Sequence, residues 1–204
     1  MVRCCLCRRG ALALIGVLCL IFSYGMVLAQ PDLMSRNDWK AKPARADLLR
    51  RQVPREIIIH HTSVRQQPGV SLERKMRGLQ SFSQRTGKVG SRIKPAWGDV
   101  PYHFYIGVSG RIAEGLNVNF AGNTNTRYDT RNRLQIVLEG NFEIEKPNAR
   151  QLASLHRLVV WLVKKHKIPV HKITAHNDHA ATSCPGKYLR AHFKDLREIA
   201  AASQ

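Results

Sequence analysis

The sequence has few acidic residues, and most of its few cysteines lie near the N-terminus. It contains 14 Asp and Glu against 33 Lys and Arg in 204 residues, which gives a formal net charge of +19. A surface this basic attracts polyanions such as nucleic acid, anionic cell-wall polymers or lipid head groups. No nucleic-acid-binding motif is visible. We therefore expect no nucleic-acid partner, and we expect the basic surface to contact anionic wall or envelope polymers.

The chain also lacks internal repeats and low-complexity linkers, so its length predicts one domain with a sizeable core. Four of its five cysteines lie within residues 1–29, and only Cys184 follows them. A chain without that leader cannot form an intramolecular disulfide. A lone thiol in an exported protein requires an explanation, and metal coordination provides one because it protects the sulfur as a thiolate.

Residues 1–29 are predicted to be an export signal. Three arginines precede an apolar run that has no acidic residue, and Val27-Leu28-Ala29 offers a cleavage point before Gln30. The alternative is an uncleaved anchor, because the run approaches the roughly 20 residues that span a bilayer. Ser23, Tyr24 and Gly25 interrupt the run, so we favour cleavage. We expect a periplasmic or secreted protein, or a membrane-anchored one if the leader is retained.

The rest of the chain shows alternating strand and helix patterns. Residues 30–54 are predicted to form an irregular arm, and 55–204 to form the domain. We predict strands over 55–61, 102–108, 111–114, 134–138 and 172–175, and helices over 71–86, 147–166 and 188–201. We predict loops over 88–101 and 116–133. This alternation indicates an α/β protein whose central mixed β-sheet is flanked by helices. The cationic face of the first helix is predicted to be solvated (Arg74, Lys75, Arg77, Arg85).

The segment from Ala175 to Gly186 carries most of the chemical information. It places His176 and Cys184 eight positions apart, which is too far for one helix face and fits a loop that curls back on itself. Upstream, an apolar strand ends in His60 and His61, and only one of these neighbours can reach a given site because they point to opposite faces. Two imidazoles and one thiolate form a typical zinc site with a fourth position open.

Four stretches together resemble a known family. LMSRNDWKAKP, IIIHHT, WGDVPYHFYIG and AHNDHAATSCPG are similar to segments of the zinc-dependent N-acetylmuramoyl-L-alanine amidases. That family includes the phage amidase-type lysozymes and the catalytic peptidoglycan recognition proteins. The resemblance extends from about Leu33 to about Leu189 and implies a single domain of the amidase or peptidoglycan-recognition type.

The resemblance also implies a site and a reaction. Its zinc ligands would be His60, His176 and Cys184, and Tyr102 and Thr182 would donate hydrogen bonds to the oxyanion that develops during catalysis. The reaction would be zinc-dependent hydrolysis of the amide bond between N-acetylmuramic acid and L-alanine in peptidoglycan. The alternative is a non-catalytic peptidoglycan-binding module of the same fold, but such relatives lose the cysteine that is present here. We expect a monomer.

Two departures from the family pattern limit what the resemblance implies. Some amidases carry a glutamate where this chain has Val137, and Glu139 lies two residues further on, so no carboxylate general base is assigned. Phe120-Ala121 replaces the His-Ala of many relatives, which leaves the stem-peptide preference open. Near the ligands, His179 is a candidate to support the site, and Asp178 is expected to accept hydrogen bonds within the loop.

Overall fold

The computed structural model describes residues 29–203. The predicted export signal and the alternative anchor lie almost entirely outside this range. Within it, none of the helices has the length and apolarity needed to cross a membrane.

A mixed six-stranded sheet forms the centre of the fold. Its strands, in spatial order, are β1 (Leu33–Met34), β6 (Ile112–Glu114), β5 (Phe104–Ile106), β7 (Arg133–Leu138), β2 (Glu56–His61) and β8 (Ile173–Ala175). Within this sheet, β5 and β6 pair antiparallel, while the other neighbours pair parallel. The helices are α1 (Leu72–Ser83), α2 (Ala149–His166), α3 (Lys187–Arg190) and α4 (Phe193–Ala202). The predicted α/β class with a mixed sheet between helices is confirmed.

The two central strands are apolar along most of their length because helices cover both faces of a buried parallel sheet. β2 and β7 pair over six residues, from Glu56 opposite Arg133 to His61 opposite Leu138. Ile57 and Ile59 point into a core on the α2 side, so His60 and Ile58 point to the opposite face.

α2 covers the first face with an apolar stripe that includes Leu155, Leu158, Val159, Leu162 and Val163. The helix begins in a capping box. The Asn148 side chain accepts from the Gln151 backbone N–H, and the Gln151 side chain accepts from the Asn148 backbone N–H. Lysines in its last turn complement the helix dipole.

α1 covers only part of the second face. Leu72 and Met76 pack against Trp39 from the arm and against Tyr105 and Val137 from the sheet. Ser71 caps the helix by accepting from the Arg74 backbone. At the end of the helix, Phe82 is 41% exposed and does not join this core.

Several predictions about local structure were wrong. The arm is not wholly irregular, because β1 adds a strand to the sheet edge. The segment predicted as the loop 88–101 begins with a small hairpin, β3 (Gly87–Val89) and β4 (Arg92–Lys94). The predicted final helix is two helices, α3 and α4. Lys75 is not solvated, because it forms a buried ion pair with Glu139 at 2.7 Å.

Candidate metal centre

Three predicted ligands from distant parts of the chain meet at one point. His60 lies near the end of β2, His176 directly follows β8, and Cys184 lies in the loop beyond it. Nδ1 of His60 is 3.2 Å from Nδ1 of His176 and 3.7 Å from Sγ of Cys184. The three ligand atoms lie within 4.8 Å of one another, and all three residues are buried.

This arrangement fits a zinc ion. Tetrahedral zinc with Zn–N near 2.05 Å and Zn–S near 2.3 Å separates neighbouring ligand atoms by about 3.3–3.6 Å. The 3.2 and 3.7 Å separations lie close to that range, and the third pair of ligand atoms lies within 4.8 Å. Two imidazoles and one sulfur are also the borderline-soft donors that zinc prefers.

Burial gives both imidazoles the charge state that a metal ligand needs. It lowers the pKa of His60 to about 3 and the pKa of His176 to about 4, so both rings are neutral at pH 7. The outer nitrogens face protein acceptors, because Nε2 of His60 contacts Oε1 of Gln135 and Nε2 of His176 lies 2.7 Å from Oγ1 of Thr126. The inner nitrogens therefore face the cluster.

The protonation state of Cys184 indicates that the cluster favours a bound cation. Burial raises the pKa of its thiol to about 12, although the His61 backbone N–H donates to Sγ at 3.3 Å. The thiol would therefore hold its proton at neutral pH unless a positive charge favoured the thiolate.

His61 does not join the cluster, as the alternation of strand residues predicted. Its Nδ1 accepts from the Phe142 backbone at 3.1 Å, and its Nε2 lies 2.7 Å from Oγ of Ser63. His61 therefore supports the chain on the other side of β2.

The ligand loop is closed by hydrogen bonds. The Asn177 backbone N–H donates to the Cys184 carbonyl at 2.9 Å. Asp178 accepts from the Ala175 backbone at 2.8 Å and forms a two-pronged ion pair with Arg190, so it is the predicted loop acceptor. These contacts return Cys184 to the end of β8, next to His176.

The two predicted catalytic side chains lie beside this cluster. The Tyr102 ring is 5.3 Å from the His60 ring, and burial raises the pKa of its hydroxyl above the ordinary value. Oγ1 of Thr182 accepts from the Cys184 backbone at 3.2 Å, which leaves its hydroxyl hydrogen available.

Glu139 is occupied elsewhere in the fold. Its carboxylate pairs with Lys75 and accepts from the backbones of Gln67 and Val108. Val137, which stands where some amidases have glutamate, is a fully buried core residue.

Three residues beside the histidines were missed by the sequence analysis. Thr126 and Gln135 contact the outer nitrogens of the ligands, and the Tyr128 ring lies 5.4 Å from that of His176. Tyr128 also stacks on His179 at 5.7 Å, and His179 contacts Thr174 rather than the cluster. Thr126 and Tyr128 belong to the segment predicted only as a polar loop, which carried no motif.

Comparison with known proteins identifies the family. Residues 50–187 match the N-acetylmuramoyl-L-alanine amidase family. The chain belongs to this family. It is 29% identical to peptidoglycan-recognition protein SD of Drosophila simulans over 184 residues, which cover 87% of this chain and 92% of the relative. It is 25% identical to the human N-acetylmuramoyl-L-alanine amidase over 168 residues, covering 79% of this chain and 28% of that one.

Solved structures support the same assignment. Drosophila PGRP-LB superposes with a TM-score of 0.67 at 28% identity, covering 80% of this chain and 92% of PGRP-LB. The endolysin amidase LysCS of Clostridium intestinale superposes with a TM-score of 0.62 at 25% identity, covering 82% of this chain and 95% of LysCS. A variant of PGRP-LB was solved in complex with tracheal cytotoxin. The family thus includes proteins named for amidase activity and proteins named for recognition.

Proposed function

We propose that this family member is a zinc-dependent hydrolase of the amide bond between N-acetylmuramic acid and L-alanine in peptidoglycan. The observation that carries the proposal is the complete cluster of His60, His176 and Cys184, buried and within 4.8 Å. The match to the amidase family and the similarity to LysCS support the same reaction.

The cluster would hold zinc through Nδ1 of His60, Nδ1 of His176 and Sγ of Cys184. When bound, zinc would supply Lewis-acid activation of water and of the scissile carbonyl. The two neutral histidines leave most of the ion's charge uncompensated, and the Cys184 sulfur provides the one anionic ligand.

Tyr102 would stabilise negative charge on the scissile carbonyl oxygen. Because burial keeps its hydroxyl protonated, Tyr102 remains a hydrogen-bond donor across the neutral and mildly alkaline range. Thr182 would add a second donor, since its oxygen already accepts from the Cys184 backbone and its hydrogen is free to turn toward the substrate. Donors held in place before the reaction favour the charge that develops in the transition state.

A cavity beside Tyr102 provides room for substrate. Its volume is about 300 Å³, and its walls include Thr62, Arg65, Leu79 and Tyr105. Its walls also include Lys75 and Glu139, which form an ion pair with each other. The mixture of aromatic, apolar and charged walls suits a glycopeptide, and Arg65 could pair with one of its carboxylates. We propose that this cavity receives the part of peptidoglycan next to the scissile bond.

The second candidate function is peptidoglycan binding without hydrolysis. The observation that favours it is the similarity to peptidoglycan-recognition protein SD, which covers most of both chains. A binding module does not need a thiol within reach of two imidazoles, and Cys184 occupies that position here. We therefore favour hydrolysis.

We also propose that the protein acts outside the cytoplasmic membrane and gathers on anionic wall or envelope polymers. The basic leader, the apolar run after it and the net charge of +19 support this. Sequencing the N-terminus of the purified protein should find Gln30 as the first residue. An intact Met1 in membrane fractions would instead support the anchor.

Hydrolysis is tested by incubating the protein with purified peptidoglycan and measuring new L-alanine amino termini. We expect release that stops with a chelator and returns with added zinc. Cys184→Ala should abolish release while peptidoglycan binding persists. If the wild-type protein binds peptidoglycan and zinc without release, the recognition function is correct. Release that survives both chelation and the substitution would overturn the zinc mechanism.

A further inference from the structure

We infer that Thr126 and Gln135 are positioning residues that fix both ligand imidazoles in the tautomer that binds metal through Nδ1. The inference rests on the proposed zinc site and concerns how the chain prepares that site. Neither residue belongs to the motifs that indicated the family.

Gln135 sets the tautomer of His60. Its Oε1 contacts Nε2 of His60, and both side chains are nearly fully buried. An amide oxygen only accepts, so Nε2 must carry the ring hydrogen. The lone pair then lies on Nδ1, which faces His176 and Cys184.

The opposite orientation of the Gln135 amide does not suit the cluster. It would direct an N–H at Nε2 and place the ring hydrogen on Nδ1, from where it could donate to Nδ1 of His176 at 3.2 Å. The lone pair of His60 Nδ1 would then be unavailable to a metal ion. The Tyr128 hydroxyl supports the first orientation, because it donates to the same Oε1 at 3.3 Å.

The arrangement leaves a polar group unpaired. Among residues 29–203, the Gln135 Nε2 is a buried donor without a hydrogen-bond partner. A buried unpaired donor is unfavourable, so packing alone does not account for glutamine at this position. The role of Oε1 as acceptor explains the glutamine. It accepts from Nε2 of His60 and from the Tyr128 hydroxyl, and an apolar side chain would leave both donors without this acceptor.

Thr126 sets the tautomer of His176. Its Oγ1 lies 2.7 Å from Nε2 of His176 and 2.8 Å from Oγ1 of Thr124. The arrangement that leaves Nδ1 of His176 free has Thr126 accepting the ring hydrogen of His176 and donating its own hydrogen to Thr124. Thr124 also accepts from the Thr126 backbone at 3.1 Å. In this arrangement the Thr126 hydroxyl has one donor and one acceptor partner, and Nδ1 of His176 is left free for the cluster.

One stretch of chain performs both tasks. Thr126 and Gln135 are nine residues apart, and Tyr128 between them contacts both the Gln135 amide and the His176 ring. Gly122 makes room for Gln135, since a Cβ there would lie 2.9 Å from its Cγ and 2.3 Å from the Pro101 carbonyl oxygen. The segment from 122 to 135 therefore supports both histidines from the side away from the metal.

The experiment compares removal of each acceptor with its replacement. The acceptor oxygen is removed in Gln135→Leu and in Thr126→Val. An acceptor oxygen is kept in Gln135→Glu and in Thr126→Ser. Thr86→Val is the matched control, because Thr86 is exposed and distant in sequence from the ligands. Zinc affinity is measured by competition with a chromogenic chelator. Imidazole ¹⁵N spectra of the zinc-free proteins report the tautomers, and thermal unfolding of the same samples reports folding.

We expect Gln135→Leu and Thr126→Val to weaken zinc binding by about 10–100-fold, the usual effect of losing a partner that orients a ligand. Gln135→Glu and Thr126→Ser should bind zinc much more tightly than the corresponding Leu and Val variants, and Thr86→Val should match wild type. The wild-type spectra should show hydrogen on Nε2 of both histidines, and each acceptor-removing variant should lose that preference at its own histidine.

The inference is overturned if zinc-free wild-type protein carries the hydrogen on Nδ1, or if both acceptor-removing variants bind zinc as tightly as wild type. These readouts do not involve peptidoglycan, so they are independent of hydrolysis. If wild-type protein binds no zinc, the proposed function fails while the spectra still test the tautomers. If Gln135→Leu does not fold, the wild-type spectra and the Thr126 pair still decide the inference.

Discussion

Nδ1 of His60 and Nδ1 of His176 lie 3.2 Å apart, although the two residues are 116 positions apart in the chain. The contact exists because β2 and β8 are adjacent parallel strands, with Ile59 opposite Ala175. The residues that follow this pair, His60 and His176, therefore lie side by side. Cys184 reaches them because the loop after β8 closes on itself through Asn177.

Replacing Tyr102 with phenylalanine tests its proposed role. The variant loses only the hydroxyl, so kcat should fall by about 10²–10³-fold, as when one oxyanion donor is removed from other enzymes. Zinc affinity should stay near the wild-type value, since Tyr102 is not a proposed ligand. Both are measured on purified protein, with Tyr188→Phe as a control for tyrosine replacement away from the site. An unchanged kcat would remove Tyr102 from the mechanism.

The neighbours His60 and His61 should behave differently when each is changed to alanine. His60→Ala should lose zinc binding, because it removes a ligand. His61→Ala should retain zinc but lose about 1–3 kcal/mol of unfolding free energy, because the Phe142 N–H loses its acceptor. Metal content and urea unfolding separate the two effects. Loss of zinc in His61→Ala alone would reverse the ligand assignment.

The ion pair between Lys75 and Glu139 predicts a large stability effect. Their side chains are 11% and 4% exposed. Lys75→Met would leave the buried Glu139 carboxylate without its cation. Removing one partner of such a pair lowers the free energy of unfolding by about 3–5 kcal/mol. The double variant Lys75→Met with Glu139→Gln should recover part of that loss, which urea denaturation would measure. Equal stability of the single and double variants would show that the charge is not the cause.

His103 predicts a dependence of stability on pH. Burial lowers its pKa from 6.5 to about 4, and its ring donates to the Phe120 carbonyl while accepting from the Gln135 backbone. As pH falls from 6.5 to 4, His103 becomes protonated in the unfolded chain but stays largely neutral in the folded chain. The free energy of unfolding therefore decreases, by about 3 kcal/mol over the whole window for this residue.

The measurement compares urea unfolding at pH 7 and pH 4.5 in the presence of a chelator. His103→Gln should show a smaller loss of stability between the two pH values than wild type. His171→Gln serves as the control because His171 is exposed. A pH dependence in His103→Gln as steep as that of wild type would contradict the assignment, whatever the absolute stability of the variant.

The sequence predicted the elements that are determined by their own residues. β2 and β7 are apolar because both faces are covered, and α2 shows a stripe with helical periodicity and a polar cap. The three candidate ligands were predictable because their motifs occur in a family-specific order. The structure brings all three together.

Some of the missed parts are short local structures, and others depend on partners distant in the chain. The hairpin of β3 and β4 has three-residue strands, and its buried Lys94 is held by carbonyls of Ser83, Arg85 and Pro95. Lys75 pairs with a residue 64 positions away. Thr126 and Gln135 acquire a role only when the sheet places them behind histidines that they do not neighbour in sequence.

The order of the strands also has a consequence for biosynthesis. β8 lies beside β2, so His60 is supplied early in translation, whereas His176 and Cys184 come from the last part of the chain. A nascent chain that has emerged only as far as α2 can begin to build the sheet, but it cannot complete the cluster. Under the proposed function, metal loading must therefore follow synthesis of the segment that contains Cys184.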